Sequence, residues 1–340
     1  MALERSASVD SAEACSAAAA LHSDAVVCDL TLPWIDIGRR ELREQTLPRF
    51  AAGGVNFVSL TLASDAESQT EVFNTIARTR RYLLDQPERF RLIETVDDIL
   101  TAKNDGKLAV SFNLQGTNAL AGNLDMVEPL YKLGIRQTLM VYNKKNLVGD
   151  GCHERTDCGL SEFGVELIRE MNRVGMIVDC SHTGYRTSME AMEVSIEPVI
   201  FSHSNPRSLW EHDRNIRDDQ ATSCAATGGL VGVVGVGIFM GEDDASTDTF
   251  FRQIDYYAQL IGTEHIAIGL DYVYDVEAEK QYMAGIKSPV QGNYHNLNNF
   301  FQPEQLPDLT EMMLARGYTE QAVRGILGEN YLRVARKVWH

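Results

Sequence analysis

No run of apolar residues in this 340-residue chain reaches the roughly 18 needed to cross a bilayer, which argues against a membrane-spanning protein. Basic residues are scarce: 31 Lys and Arg stand against 48 Asp and Glu, a formal net charge of −17. With no Lys/Arg cluster as a local exception, the surface repels phosphate backbones and anionic lipid, so neither nucleic acid nor membrane is an expected partner. Cysteines, at 15, 28, 152, 158, 180 and 224, are few for this length, and Cys28 and Cys180 lie inside apolar runs as small buried hydrophobes do. The first two dozen residues hold a short Ala run but no basic start and no long apolar centre, unlike a secretory signal. A cytoplasmic protein with free thiols is expected. No GxGxxG loop follows an early strand, which removes the usual mark of a dinucleotide-binding open sheet.

What is present is alternation. Short apolar, β-branched runs occupy 25–32, 54–62, 107–115, 135–143, 175–182, 198–204, 229–237 and 265–272. Near-continuous apolar strands imply burial on both faces, as in a parallel sheet covered by helices. Amphipathic segments such as EVFNTIARTRRYLL, MVEPLYKLG, FGVELIREMNRVG, SMEAMEV and TFFRQIDYYAQLIG lie between them, several closed by the Gly that helix ends favour. Eight β–α alternations predict an α/β fold of the (β/α)8 TIM-barrel type. A single barrel domain is expected over residues 25–340, after an N-terminal extension at 1–24 and with a polar excursion at about 273–304 that suits a lid or an oligomer contact. The glycine-rich run GLVGVVGVG is expected to be a strand whose small residues let its neighbours approach.

In such barrels the chemistry sits at the C-terminal ends of the strands. Those ends carry Asp29 and Thr31, Gln115, Tyr142 and Asn143, His182, His203, and Asp271 with Tyr272. Two histidines and an aspartate from separate strands are suitable donors for a catalytic zinc-type centre that leaves one position open for water. His182 and His203 are each preceded by Ser, and Asn143 and Tyr272 are candidate substrate contacts. The segment CHERTDC (152–158) has five residues between its cysteines and no second pair, so it is expected to be a loop.

The stretches GLSEFGVELIREMNRVGMIVDCSH, PVIFSHSNPRSL, RNIRDD and HIAIGLDY resemble the membrane (renal) dipeptidase family of the amidohydrolase superfamily, the M19 peptidases. The resemblance spans most of residues 25–335. It implies a metal-dependent barrel hydrolase, often a homodimer, whose typical members cleave dipeptides with two zinc ions. By the same resemblance His182 and His203 match ligands of one metal and Asp271 a metal-binding, proton-handling aspartate. Arg214 matches an arginine that holds the substrate carboxylate, a role suited to its planar, permanently charged fork.

The chain also departs from that pattern. Asp29-Leu-Thr31 stands where relatives carry His-x-Asp, Gln115 where they carry a bridging glutamate, and Tyr142 where they carry a histidine. An amide offers one neutral oxygen and an NH₂ that cannot ligate, so Gln115 is a poor bridge between two cations. At most one metal is therefore expected, with zinc favoured, held by His182 and His203 with help from Gln115, Asp271 or Asp29. Asp271 would be the base and Tyr142 an oxyanion donor or acid, acting on an amide or related C–N bond of a small carboxylate-bearing substrate such as a dipeptide or N-acyl amino acid. Two other readings stay open: lyase or isomerase proton transfer on the same barrel, and a retired barrel that binds a ligand without turnover.

Overall fold

The computed structural model describes residues 16–34, 39–285 and 297–340. The first 15 residues of the expected extension, and 286–296 of the expected excursion, lie outside the described residues. Eight parallel strands follow one another in chain order: β1 (Cys28–Pro33), β2 (Phe57–Ser64), β3 (Leu108–Gln115), β4 (Ile135–Leu139), β5 (Ile177–Asp179), β6 (Ile200–Phe201), β7 (Leu230–Val233) and β8 (Ile266–Ile268). The ring closes through the segment after β8, where Leu270 N–H donates to Asp29 Oδ1 at 2.7 Å and Asp271 N–H to the Thr31 carbonyl at 3.0 Å. Every residue of β2 and β3 is buried, as their unbroken apolar character requires. A short strand missed by the pattern, Phe90–Leu92, pairs beside β3 outside the ring.

The covering helices start where the chemistry of their ends says they should. Ser68 and Glu71 form a reciprocal capping box at the start of Gln69–Leu84, and Thr95 with Asp98 does the same for Val96–Asn104. Ser161 caps Glu162–Val174, and Gly175, at φ +87°, ends it. The seventh run is a strand as expected: a Cβ on Gly232 would lie 2.0 Å from the Ser202 carbonyl, so only glycine lets β7 approach β6 this closely.

The floor of the barrel is sealed. The C-terminal helix Asn330–Val338 inserts Tyr331, whose ring stacks on Phe57 at 5.4 Å and whose hydroxyl donates to Gln137 Oε1. Leu30, Ile177, Ile200 and Leu230 complete this lower apolar layer. Only the C-terminal face is left for a site. The described part of the N-terminal segment is not a separate tail: Ala18 and Leu21 are buried, and His22 bonds the Thr310 hydroxyl and the Gly53 carbonyl.

Candidate active site

At the open face, β5 and β6 run out into the two Ser-His pairs. The serines position the histidines: Ser181 Oγ accepts from His203 N–H at 3.0 Å, and Ser202 Oγ lies 2.7 Å from His203 Nδ1, with Thr31 Oγ1 at 3.2 Å. His182 Nδ1 donates to Asn143 Oδ1 at 2.7 Å, an oxygen that also accepts from the Cys152 thiol. That bond fixes the tautomer and turns the Nε2 lone pair of His182 inward. The two Nε2 atoms then meet at 2.9 Å. Loss of hydration, helped by the nearby Arg214 charge, holds both imidazoles well below their usual pKa. Neutral imidazole is the form that ligates a metal.

Three residues of this face sit in the left-handed region: Asn143 at φ +60°, His182 at +62° and Asp271 at +53°. Such backbone is costly for residues with a Cβ and is found where surrounding structure forces a side chain into place. Asp65, at the end of β2, supplies part of that force. Its carboxylate accepts from the backbone N–H groups of Asn118 and Tyr142 and from the Asn146 amide. Gly116 makes room for it, since a Cβ there would lie 2.2 Å from Asp65 Oδ1 and the glycine adopts φ +140°.

A cavity opens between these strand ends and the helix Val276–Gly285. Gln115, Tyr142, His182 and Asp271 face it, together with Glu279, Tyr282 and Met283 of that helix. Tyr142 stacks on His182 with ring centres 4.4 Å apart. Gln115 is 5% exposed, and its Nε2 has no hydrogen-bond partner among the described residues. Loss of hydration pushes the Asp271 carboxyl up to about 6, against the opposing pull of Arg214. A second, more polar pocket lies on the other side of His182 and contains Arg214. Arg214 is 2% exposed, and Nη2 donates to the His203 carbonyl at 3.2 Å. Its Nε–H has no hydrogen-bond partner among the described residues.

Two expected site residues are placed elsewhere. Asp29 is fully buried in the wall, where its Oδ1 is taken by Leu270 N–H, and burial raises its pKa well above the carboxylate range. One oxygen of Asp29 thus closes the ring, while its Oδ2 is buried with no hydrogen-bond partner among the described residues. Tyr272 is placed away from the site residues, packed toward the helix Arg40–Ala52. Its hydroxyl accepts from Arg49 Nη1 at 2.6 Å and its ring packs on Phe50. Asn143 is in the site, but as the partner of His182. Conversely, the pattern of runs missed Glu279 and Tyr282, whose signal is the i, i+3, i+4 spacing of 279, 282 and 283 on one helical face.

The donor set tests the implied metal. The two imidazole nitrogens are donors of the kind one divalent ion takes, and Gln115 and Asp271 face the same cavity as His182, Asp271 without standing within reach of both nitrogens as a third ligand. The set does not fit two: Thr31 brings a hydroxyl, Gln115 an uncharged amide, and Asp29 is sealed in the wall. No group of three or more His, Cys, Asp and Glu within reach of one ion occurs among the described residues.

The model of the family described as membrane dipeptidase, peptidase family M19, matches residues 3–340. An uncharacterized dipeptidase of Schizosaccharomyces pombe is 31% identical over 286 residues, covering 82% of this chain; the chain in turn spans 63% of that relative's length. A solved amidohydrolase from Pseudomonas aeruginosa is 33% identical with a TM-score of 0.86, over 95% of this chain and 99% of its own. A metallo peptidase from Rhodobacter sphaeroides, liganded with a phosphinate mimic of the dipeptide L-Ala-D-Ala, shares the fold at 20% identity and a TM-score of 0.75, over 93% of this chain and all of its own. On the full-length family match and the 31% identical relative, the chain belongs to the membrane dipeptidase family, peptidase family M19.

Proposed function

We propose that this barrel is a metal-dependent hydrolase that cleaves the amide bond of a small, carboxylate-bearing, dipeptide-like substrate and uses one ion rather than two. The observation that carries the reading is the convergence of His182 Nε2 and His203 Nε2 at the open face, with Arg214 behind them. These histidines would hold the ion, and zinc is favoured by imidazole donors. When bound, the ion supplies Lewis-acid polarisation of a carbonyl and a lowered pKa for water.

The chain's own groups do the rest. Arg214 offers an unused N–H to the substrate carboxylate in a site where burial strengthens a charged hydrogen bond. Asp271, ionised above about pH 6, accepts the proton of the attacking water and returns it to the leaving amine. Gln115 would donate its amide N–H to the substrate, and the Tyr142 hydroxyl, facing the same cavity, would stabilise charge on the scissile oxygen. Five free cysteines with no disulfide among the described residues support a reducing, cytoplasmic setting, and no helix there is long and apolar enough to cross a membrane. Assembly as a homodimer rests on family resemblance.

The test is turnover of a panel of dipeptides by purified protein with and without a chelator. Hydrolysis that is lost on chelation and returns with zinc is expected. Asp271 and Tyr142 facing one cavity also suit proton transfer without bond hydrolysis, and activity that survives the chelator would favour that lyase or isomerase reading. Binding without turnover would mark a retired barrel.

A further inference from the structure

Glu279 is the group at the cavity with no role so far. It lies on the helix Val276–Gly285, half-buried, and its carboxyl has neither a hydrogen bond nor an ion pair among the described residues. Nearby cations are committed elsewhere: Arg39 to Asp275, Lys280 to Glu277 and Asn298, and Arg49 to Glu304. Glu67, the other acid beside it, is fully used, accepting from Ser64 N–H, the Ser64 hydroxyl and the Tyr282 hydroxyl. Glu279 therefore meets Asp271 and Glu67 across poorly hydrated space with no paired positive charge among the described residues, and lost water, with these like charges behind it, raises its pKa to about 7. Gln115 also marks this cavity as a ligand site, nineteen-twentieths buried and facing it with an N–H unpartnered among the described residues.

We propose that Glu279 binds the free ammonium group of the substrate, so that the cavity takes the amino end of a zwitterion whose carboxylate lies against Arg214. This selects dipeptide-like compounds with an unblocked amine. The assignment rests on the hydrolase reading above. An ammonium group brings three N–H donors, and the Glu279 carboxyl has two oxygens to accept them. A second divalent ion would need further oxygen donors, and the wall here is instead Val236, Phe239, Val273 and Phe300. The same wall favours an apolar first side chain.

The probes are Leu-Gly and N-acetyl-Leu-Gly, with binding measured by calorimetry and turnover measured in parallel. Full-length, metal-loaded wild type and Glu279→Gln are compared at pH 8, where Glu279 is ionised. Wild type is expected to bind Leu-Gly at least about tenfold more tightly than the acetylated form, the size of effect a charged hydrogen bond carries. Glu279→Gln is expected to weaken Leu-Gly binding by about tenfold or more, raising KM with kcat little changed. Unchanged binding of N-acetyl-Leu-Gly shows that the variant is folded. A variant that weakens both probes alike, or neither, overturns the assignment, as does wild type that does not distinguish them. Discrimination that depends on Glu279 without turnover leaves the amine site standing and removes the hydrolase reading; turnover indifferent to Glu279 does the reverse.

Discussion

At the scale of single residues, the site is built from strain and withheld water. Asn143, His182 and Asp271 occupy left-handed backbone, each at a cost of about 1 to 3 kcal/mol that the surrounding barrel must offset. The same enclosure decides ionisation. Because the folded-state pKa of Asp271 is raised to about 6, the carboxyl is protonated below that value and cannot act as a base. kcat/KM is expected to rise with pH through about 6, falling about tenfold per unit on the acidic side, and Asp271→Asn should remove both the activity and the inflection. A pH–rate profile with no acidic limb would contradict this role. His182, His203 and Asp271 were legible because strand ends in a barrel all face one mouth. The hydrogen bond from Leu270 N–H to Asp29 Oδ1 was not, since sequence places Asp29 at a strand end without showing what closes the ring beside it.

At the scale of elements, the helix Val276–Gly285 forms one wall of the cavity. It is fastened at one point by Tyr282, whose hydroxyl lies 2.9 Å from both Glu67 Oε1 and Ser64 Oγ, and at its start by Asp275, which accepts from Arg39. Tyr282→Phe removes the first fastening and leaves Glu67 with one unpaired oxygen, a loss of about 1 to 3 kcal/mol. Local opening should become easier: amide exchange across 276–285 is expected to speed up by about tenfold or more while the global melting temperature barely moves. Exchange unchanged in this helix, or a large fall in melting temperature, would show that the bond does not fasten it. The strands were legible from their apolar runs and the helices 69–84, 162–174 and 247–261 from their periodicity. This wall was not, because 273–304 is a polar excursion whose helical face shows only as three residues at 279, 282 and 283. Phe90–Leu92 escaped because three residues make no period.

At the scale of the whole molecule, the fold and the chemistry part company. The sealed floor, the parallel ring and the open face carrying two histidines are the barrel of the membrane dipeptidase family. Two positions at that face lack the carboxylates a pair of cations needs: Thr31 brings a hydroxyl and Gln115 an amide, and burial raises the pKa of Asp29 beside them. A barrel interior without those anions does not offset the repulsion of two divalent ions. The metal bound per chain, measured by plasma mass spectrometry on dialysed protein, separates one ion from two. Close to one ion per chain is expected, lost in His203→Ala; two tightly bound ions per chain, or one that persists in that variant, would contradict a single-ion site.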